Sequence, residues 1–388
     1  MGLSGSYRVA LLDWLACAAR GAGEPAAIAA RAAAALGETL TERVVAAGTA
    51  GHVLDFDDTY LPGLAHLSAP TAPAAVVLAA SLHRSIGDAL DAYAGGFEAM
   101  GAFAAANHPA LYDRGWHPTA VCGSLGAAVT AAQLLGLDAE RERNARALAL
   151  LRAGGMRAGF GSDGKALAVG MAAATGVQAA RLAESGAQAP LDRVADGPAG
   201  LLEAFGGVYA EPDADAEPAV ADNWIKAYPC CLQTHGAIEA AERVRADGAA
   251  AAGAVEAVVH PVSRRAAPYD DAETPLQAKF SIPYTVAFTL LHGPPTVDAF
   301  AAVEPAARAL ARERVRVETD PALAESEAVL RLDGAEAARV TAALGSPERP
   351  MDGAQLAAKI RELAGDRLDG VLDDRHRPAA EVLAAAGL

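Results

Sequence analysis

The chain has 388 residues, 52% of them hydrophobic but only 5% aromatic, and carries a formal charge of −16. That length exceeds the usual single domain, so one large domain with a satellite or two unequal domains is expected, and the acid excess disfavours nucleic acid and anionic membrane as partners. Cys17, Cys122, Cys230 and Cys231 show no C-x-x-C spacing, which suggests neither a zinc site nor a disulfide framework and fits a reducing cytoplasm.

Near the start, ALLDWLACAARG breaks its apolar run with Asp13 and Arg20 at helical spacing, as an amphipathic helix does and a signal peptide does not. From Arg8 to about Gly206, alanine- and leucine-rich segments repeat apolar residues every three or four positions and many stop at glycine, which predicts a succession of helices. Alanine is the best helix former, and the recurring small residues let backbones approach closely. No stretch reaches the ~20 uninterrupted apolar residues that span a bilayer.

After Trp224 the texture changes. AVEAVVHPV, ERVRVETD and SEAVLRLD followed by ARVTAAL alternate apolar and polar residues and are rich in valine; they predict strands, the last two a hairpin turned at Asp333 and Gly334. The expected fold is mainly α. A large all-helical domain takes residues 1–225 and 349–388, its last helices returning to the first, and a smaller α+β domain of residues 226–348 is inserted between.

Five segments carry polar groups suited to chemistry. HVLDFDDTYL, from His52 to Leu61, has the D-x-D-x-T pattern of a magnesium-dependent phosphatase nucleophile, but its approach, ERVVAAGTAGH, has helical spacing where such a loop follows a strand. On a helix, His52, Asp55, Phe56 and Thr59 share one face while Asp57 and Asp58 point elsewhere; the plain alternative is a helix end with solvated acids. In GWHPTAVCGSLG, His117 precedes a helix opening at Thr119, where backbone N–H groups attract anions, or else it packs on Trp116. GFGSDGKALAVG sets Lys165 after a glycine loop as an anion-binding candidate, with neither the strand nor the Ser/Thr of a Walker motif. WIKAYPCCLQTHG offers Lys226, Tyr228 and His235 around adjacent cysteines that point apart and read as buried thiols. AKFSIPYTVAFTLLHG places Lys279, Ser281 and Tyr284 at the start of an apolar helix, where the tyrosine is either a site residue or core.

Taken in order, H-x-x-DFDDT, the following His66, G-x-H-x-T, FG-[TS]-x-x-K, K-x-Y-P-C-C-x-x-x-H, KFS-x-x-Y and the late GSPERPM give a sequence that resembles the MmgE/PrpD family over nearly its whole length. The resemblance implies that the α+β domain is a lid, that the protein is a homodimer free of metal and other cofactors, and that a small di- or tricarboxylate binds in the cleft between domains. It implies catalytic roles for His117, His66, Asp55, Tyr284 and Lys226, with Lys165, Thr59, His235 and Ser281 binding substrate.

Removing a proton next to a carboxylate leaves an enediolate-like anion, so such a site needs cations as well as a base. Lys165 and Lys226 supply the charge; His117 or His66 is the base; the other histidine or Tyr284 is the acid. Asp55 is expected to orient a histidine and raise its pKa, with Asp57 and Asp58 structural. The expected activity is a lyase of the dehydratase type, with epimerisation, decarboxylation or plain carboxylate binding as alternatives. Two departures, His66-Leu67 where the family often has His-Pro and Lys165-Ala166-Leu167-Ala168 where it has Lys-Pro-Leu-His, point to a specialised substrate.

Overall fold

The alanine-rich segments fold into helices that pack through their small side chains. In the computed structural model, which describes residues 3–34, 39–248 and 253–388, the first of these are α1 (Leu3–Gly21), α2 (Pro25–Ala34), α3 (Leu40–His52), α4 (Ser68–Ser81), α5 (Ile86–Ala106) and α6 (Ala110–Asp113). They are followed by α7 (Pro118–Leu135), α8 (Ala139–Leu150), α9 (Gly164–Glu184), α10 (Leu191–Asp196) and α11 (Leu201–Phe205). Helices α7 and α9 are long and apolar enough to cross a membrane by length and composition, but they pack against each other in the interior.

Helices α3 and α9 meet where neither carries a side chain. A Cβ on Gly48 would lie 2.9 Å from Gly170 Cα, and one on Gly170 would lie 2.4 Å from Val45 O. Only glycine fits such an approach. The crossing lies about one turn from His52 on α3 and from Lys165 on α9, so it brings those two side chains together.

The later chain is mixed. Helices α12 (His235–Ala246), α13 (Pro261–Ala266), α14 (Pro275–Ala278), α15 (Ile282–His292) and α16 (Pro305–Arg314) accompany a sheet ordered β4-β3-β5-β6, once the short pair β1 (Thr59–Tyr60) and β2 (Asn223–Trp224) is numbered first. Strands β3 (Val255–Val259) and β4 (Val315–Thr319) run parallel, while β5 (Ala328–Leu332) is antiparallel to both β3 and β6 (Ala335–Val340). Asp333 and Gly334, at φ 47° and 83°, form the two-residue turn of the expected hairpin. Alternate residues Val255, Ala257 and Val259 share a core with Ala237, Val244, Val286 and Leu290 of the covering helices.

Helices α17 (Gly353–Ala364) and α18 (Ala379–Ala386) then return to the beginning of the chain. Ile360, Leu363 and Val382 join Leu11, Trp14 and Leu78 in the main core, and Lys359 Nζ lies 2.6 Å from Asp13 Oδ1. At the two crossings between the helical and mixed regions, Ile225 N–H donates to Gly345 O at 3.1 Å.

One local expectation fails. Helix α3 stops at His52, and Asp55 adopts a left-handed backbone at φ 53°, so Asp55 and Thr59 share no helical face with it. The acids are not solvated either: Asp55, Asp57 and Asp58 are all buried. After the turn, Thr59 and Tyr60 pair with Trp224 and Asn223, which ties this loop to the start of the mixed region.

Candidate active site

The turn after α3 points its carbonyls inward, where each needs a donor. Lys279 Nζ donates to Leu54 O at 2.6 Å, Lys226 to Asp55 O, and Lys359 to Phe56 O at 2.9 Å. Three lysines from distant parts of the chain thus hold three successive peptide oxygens. Aspartate tolerates the left-handed region better than most residues, and this backbone sends its carboxylate toward two ammonium groups. Lys165 Nζ lies 2.6 Å from Asp55 Oδ1, and Lys226 Nζ 3.3 Å from Asp55 Oδ2.

The neighbouring acids face other partners. Asp57 Oδ2 is 2.8 Å from His52 Nδ1 and 3.3 Å from His66 Nδ1, while Asp58 is bound by Ser68 and Asn223. Lys165 Nζ also reaches His52 Nε2 at 2.8 Å. His66 Nε2 stands 3.6 Å from Asp55 Oδ1, and its backbone N–H donates to Thr119 Oγ1 at 3.1 Å.

Asp55, Thr59, His66, His117, Thr119 and Lys165 line a cavity roofed by Leu64, Phe160, Leu232 and Phe280. Tyr112 also lines it, with a buried hydroxyl that makes no hydrogen bond among the described residues. Its volume, ≈ 50 Å³, holds one or two waters and lies far below the few hundred Å³ of ordinary ligand pockets.

Burial and charge set the protonation states. Burial would lift Asp55, but the Lys165 and Lys226 ammoniums outweigh it and hold this carboxyl well below the usual range. Asp57 is likewise lifted by burial and held down more strongly by His52 and His66. Burial, reinforced by Lys165, pushes His117 well below its ordinary value, and burial lowers His66 despite the opposing pull of Asp57. Both histidines are therefore neutral at neutral pH, suited to accept protons. Asp55 pulls both histidines upward, as expected of a nearby carboxylate, but desolvation outweighs that pull and the net shift is downward. Asp58 is pushed up to about 8 by burial and by Asp57.

His52, Asp55 and His66 each offer a ligand atom within 4.8 Å of the others, a grouping able to hold a metal. Lys165 Nζ, however, stands close to both His52 Nε2 and Asp55 Oδ1, so an ammonium already occupies the cationic position. A dication there would face that charge directly.

Of the residues expected at the site, Asp55, Thr59, His66, His117 and Lys165 line the cavity, and Lys226 lies wholly buried behind Asp55. Tyr284 lies elsewhere: its hydroxyl accepts from Glu304 N–H at 2.9 Å, and its ring packs with Phe288. Ser281 caps α15 by accepting from Tyr284 N–H. His235 is buried with its ring edge on Tyr228, 3.4 Å from Cys230 O. The sequence reading did not assign Tyr112, His52 or Asp57 to the site. Tyr112 lies only five residues before His117, so proximity in sequence was the available signal. All four cysteines are free and buried.

The sequence matches the family descriptions MmgE/PrpD N-terminal domain, over residues 6–211, and MmgE/PrpD C-terminal domain, over residues 228–385. Among curated proteins it is similar to cis-aconitate decarboxylase of Homo sapiens, 35% identical over 212 residues that make up 51% of this chain and 43% of that one. The corresponding protein of Mus musculus is 32% identical over 212 residues, 51% of this chain and 42% of the other. That of Aspergillus terreus is 33% identical over 146 residues, 35% and 30% of the respective chains. The matched stretch thus spans less than half the length of these relatives.

Proposed function

The chain belongs to the MmgE/PrpD family, and from that membership we propose that it is a cofactor-independent lyase that moves a proton at a carbon next to a carboxylate of a small di- or tricarboxylate. The observation that carries this reading is the pairing, around one cavity, of two neutral histidines with Lys165 and Asp55, the carboxylate backed by the buried Lys226. A base at carbon and cations at the resulting enediolate are what the reaction asks for.

The first form of the reaction is dehydration. His66 takes the proton from carbon as the C–H bond breaks; Lys165, on the cavity wall, stabilises the charge that spreads onto the carboxylate, and Lys226 adds its charge from behind Asp55. The C–O bond then breaks with its electron pair on oxygen, which takes a proton from Tyr112 and leaves as water. Tyr112 suits this step because its hydroxyl meets no hydrogen-bond geometry among the described residues, and burial raises it to about 12 against the lowering effect of the Arg157 guanidinium over its ring, so it stays protonated. His117, neutral on the same wall, returns the proton from His66 to the tyrosinate.

Decarboxylation is the second form, and one feature favours it. The roof of Phe160, Phe280, Leu64 and Leu232 offers a carboxylate poor solvation, which promotes its departure as neutral CO₂. The similarity to cis-aconitate decarboxylases points the same way.

The reading takes residues 226–348 as a lid over the helical body of residues 1–225 and 349–388. What supports it is that the cavity wall draws His66, His117 and Lys165 from the one and Leu232, Gln233 and Phe280 from the other. A homodimer in a reducing cytoplasm completes the proposal; the unpaired cysteines support the compartment.

Incubation with cis-aconitate and with citrate-type hydroxy acids in heavy water, followed by proton NMR and CO₂ detection, tests it. Loss of a C–H signal with a new vinyl resonance and no CO₂ marks dehydration, and release of CO₂ marks decarboxylation. Exchange with inversion and no alkene makes the protein an isomerase, and activity lost to EDTA and restored by a metal overturns the cofactor-free reading.

A further inference from the structure

Asp57 has no role in the chemistry above, yet it is wholly buried and one of its oxygens faces two imidazoles. Oδ2 lies 2.8 Å from His52 Nδ1 and 3.3 Å from His66 Nδ1. An ionised carboxylate only accepts, so each contact is attractive when the facing nitrogen carries the proton.

The far side of His52 gives an independent check. A lysine ammonium only donates, and Lys165 Nζ sits 2.8 Å from His52 Nε2. That nitrogen therefore presents its lone pair, and the proton of the neutral ring is on Nδ1, toward Asp57. Both ends of the ring require one tautomer.

For His66 a carboxylate faces each nitrogen, Asp57 Oδ2 at 3.3 Å from Nδ1 and Asp55 Oδ1 at 3.6 Å from Nε2; the nearer one, with Thr59 Oγ1 at 3.4 Å beside it, favours the proton on Nδ1. Its Nε2 is then the basic nitrogen, and it stands beside Asp55 among the residues lining the cavity. The rings of His52 and His66 meet edge to face, centroids 4.5 Å apart, so the pair is held as a unit around the one carboxylate.

We propose that Asp57 is a positioning residue that sets the tautomer of both rings: by accepting Nδ1–H from each, it leaves His66 Nε2 as the base and His52 Nε2 as the acceptor that holds Lys165. The functional half of this statement rests on the lyase reading, in which His66 removes the proton. Asp57 touches no reacting atom; it acts through the histidines.

The test reads the protons directly. The full chain, labelled with ¹⁵N in its histidine rings, is examined by long-range ¹H–¹⁵N correlation between pH 6 and 8, with His52→Gln and His66→Gln variants to assign the two rings. Both are expected as neutral rings protonated at Nδ1, and in Asp57→Asn, whose amide presents donors as well as an acceptor, at least one ring is expected to move its proton to Nε2. A wild-type His66 protonated at Nε2 overturns the proposal, whether or not the Asn variant folds, as do two unchanged rings in a folded Asn variant. No substrate is needed, so a failure of the lyase reading shows as absent turnover, separately from the tautomers.

Discussion

Lys165 Nζ and Asp55 Oδ1, from positions 110 residues apart, lie 2.6 Å from each other with both side chains almost wholly shielded from water. The pair is the joint between the loop after α3 and the start of α9. Lys165→Met removes one partner and leaves Asp55 with Lys226 alone. Breaking a buried ion pair costs on the order of 3 kcal/mol, so the urea midpoint should fall accordingly, and kcat/KM for the accepted acid should fall by ~100-fold or more. A variant with unchanged midpoint and turnover would show that the pair does not organise the site.

The two tyrosines separate one version of the chemistry from another. Tyr112 lines the cavity and its hydroxyl makes no hydrogen bond among the described residues, whereas Tyr284 is engaged with Glu304 N–H. Tyr112→Phe should therefore lower kcat by ~10²-fold, the low end for a positioned acid, while Tyr284→Phe should leave kcat largely intact and act mainly on stability. The reverse order in steady-state assays would return the acid role to Tyr284.

Buried histidines make stability sensitive to acid. Burial lowers His52 to about 4 and His235 to about 3, with His66 and His117 also depressed, against ~6.5 in an unfolded chain. Below pH ~6.5 the unfolded chain binds protons that the folded one refuses, so stability is lost as pH falls toward about 4 and further toward about 3. Asp13 and Asp58, whose values are raised, act in the opposite sense but are fewer than the four histidines. Melting temperature should decline from pH 6.5 to 4, and a flat profile would contradict neutral buried rings.

Asp58 provides the converse case. Its folded value, about 8, lies above the unfolded one, so its contribution is complete below pH ~3.8 and is lost as pH rises through about 8. Asp58→Asn imitates the neutral acid, and the buried Asn223 Oδ1, which has no partner among the described residues, can accept from it if that amide turns over. The variant should gain melting temperature relative to wild type on going from pH 5 to pH 8. No gain would mean that Asp58 is ionised in the folded protein.

The crossing of α3 and α9 is tested by Gly170→Ala. The added Cβ would stand 2.4 Å from Val45 O and 2.6 Å from Thr49 Oγ1, contacts with backbone and with a side chain held in place. Overpacking of this kind costs ~1–3 kcal/mol, and the helices must separate where they align His52 with Lys165. Calorimetry should show the loss of stability and assays of the proposed activity a loss of turnover; an undisturbed variant would mean that the crossing does not govern the site.

Much of this was legible in the residues, for reasons that differ along the chain. Helical periodicity marked the long helices, and Asp333-Gly334 marked the hairpin, because these signals are local. HVLDFDDTYL was harder. Its spacing suited a helix, but the path after His52 is decided by Lys226, Lys279 and Lys359, which no local pattern reveals. The same holds for Asp57, assigned a structural role by a helical wheel that ends before it, and for Tyr284, whose partner Glu304 lies 20 residues away. Seven ordered motifs pointed to the family, but how their side chains meet depends on tertiary contacts.

The lysine caps on Leu54, Asp55 and Phe56 also impose an order on biosynthesis. Asp55 leaves the ribosome long before Lys359, the last of the three donors, so the nascent N-terminal helices can assemble while the turn that aims this carboxylate is still short of a partner. The turn of the candidate site is in this way completed only once translation has passed Lys359.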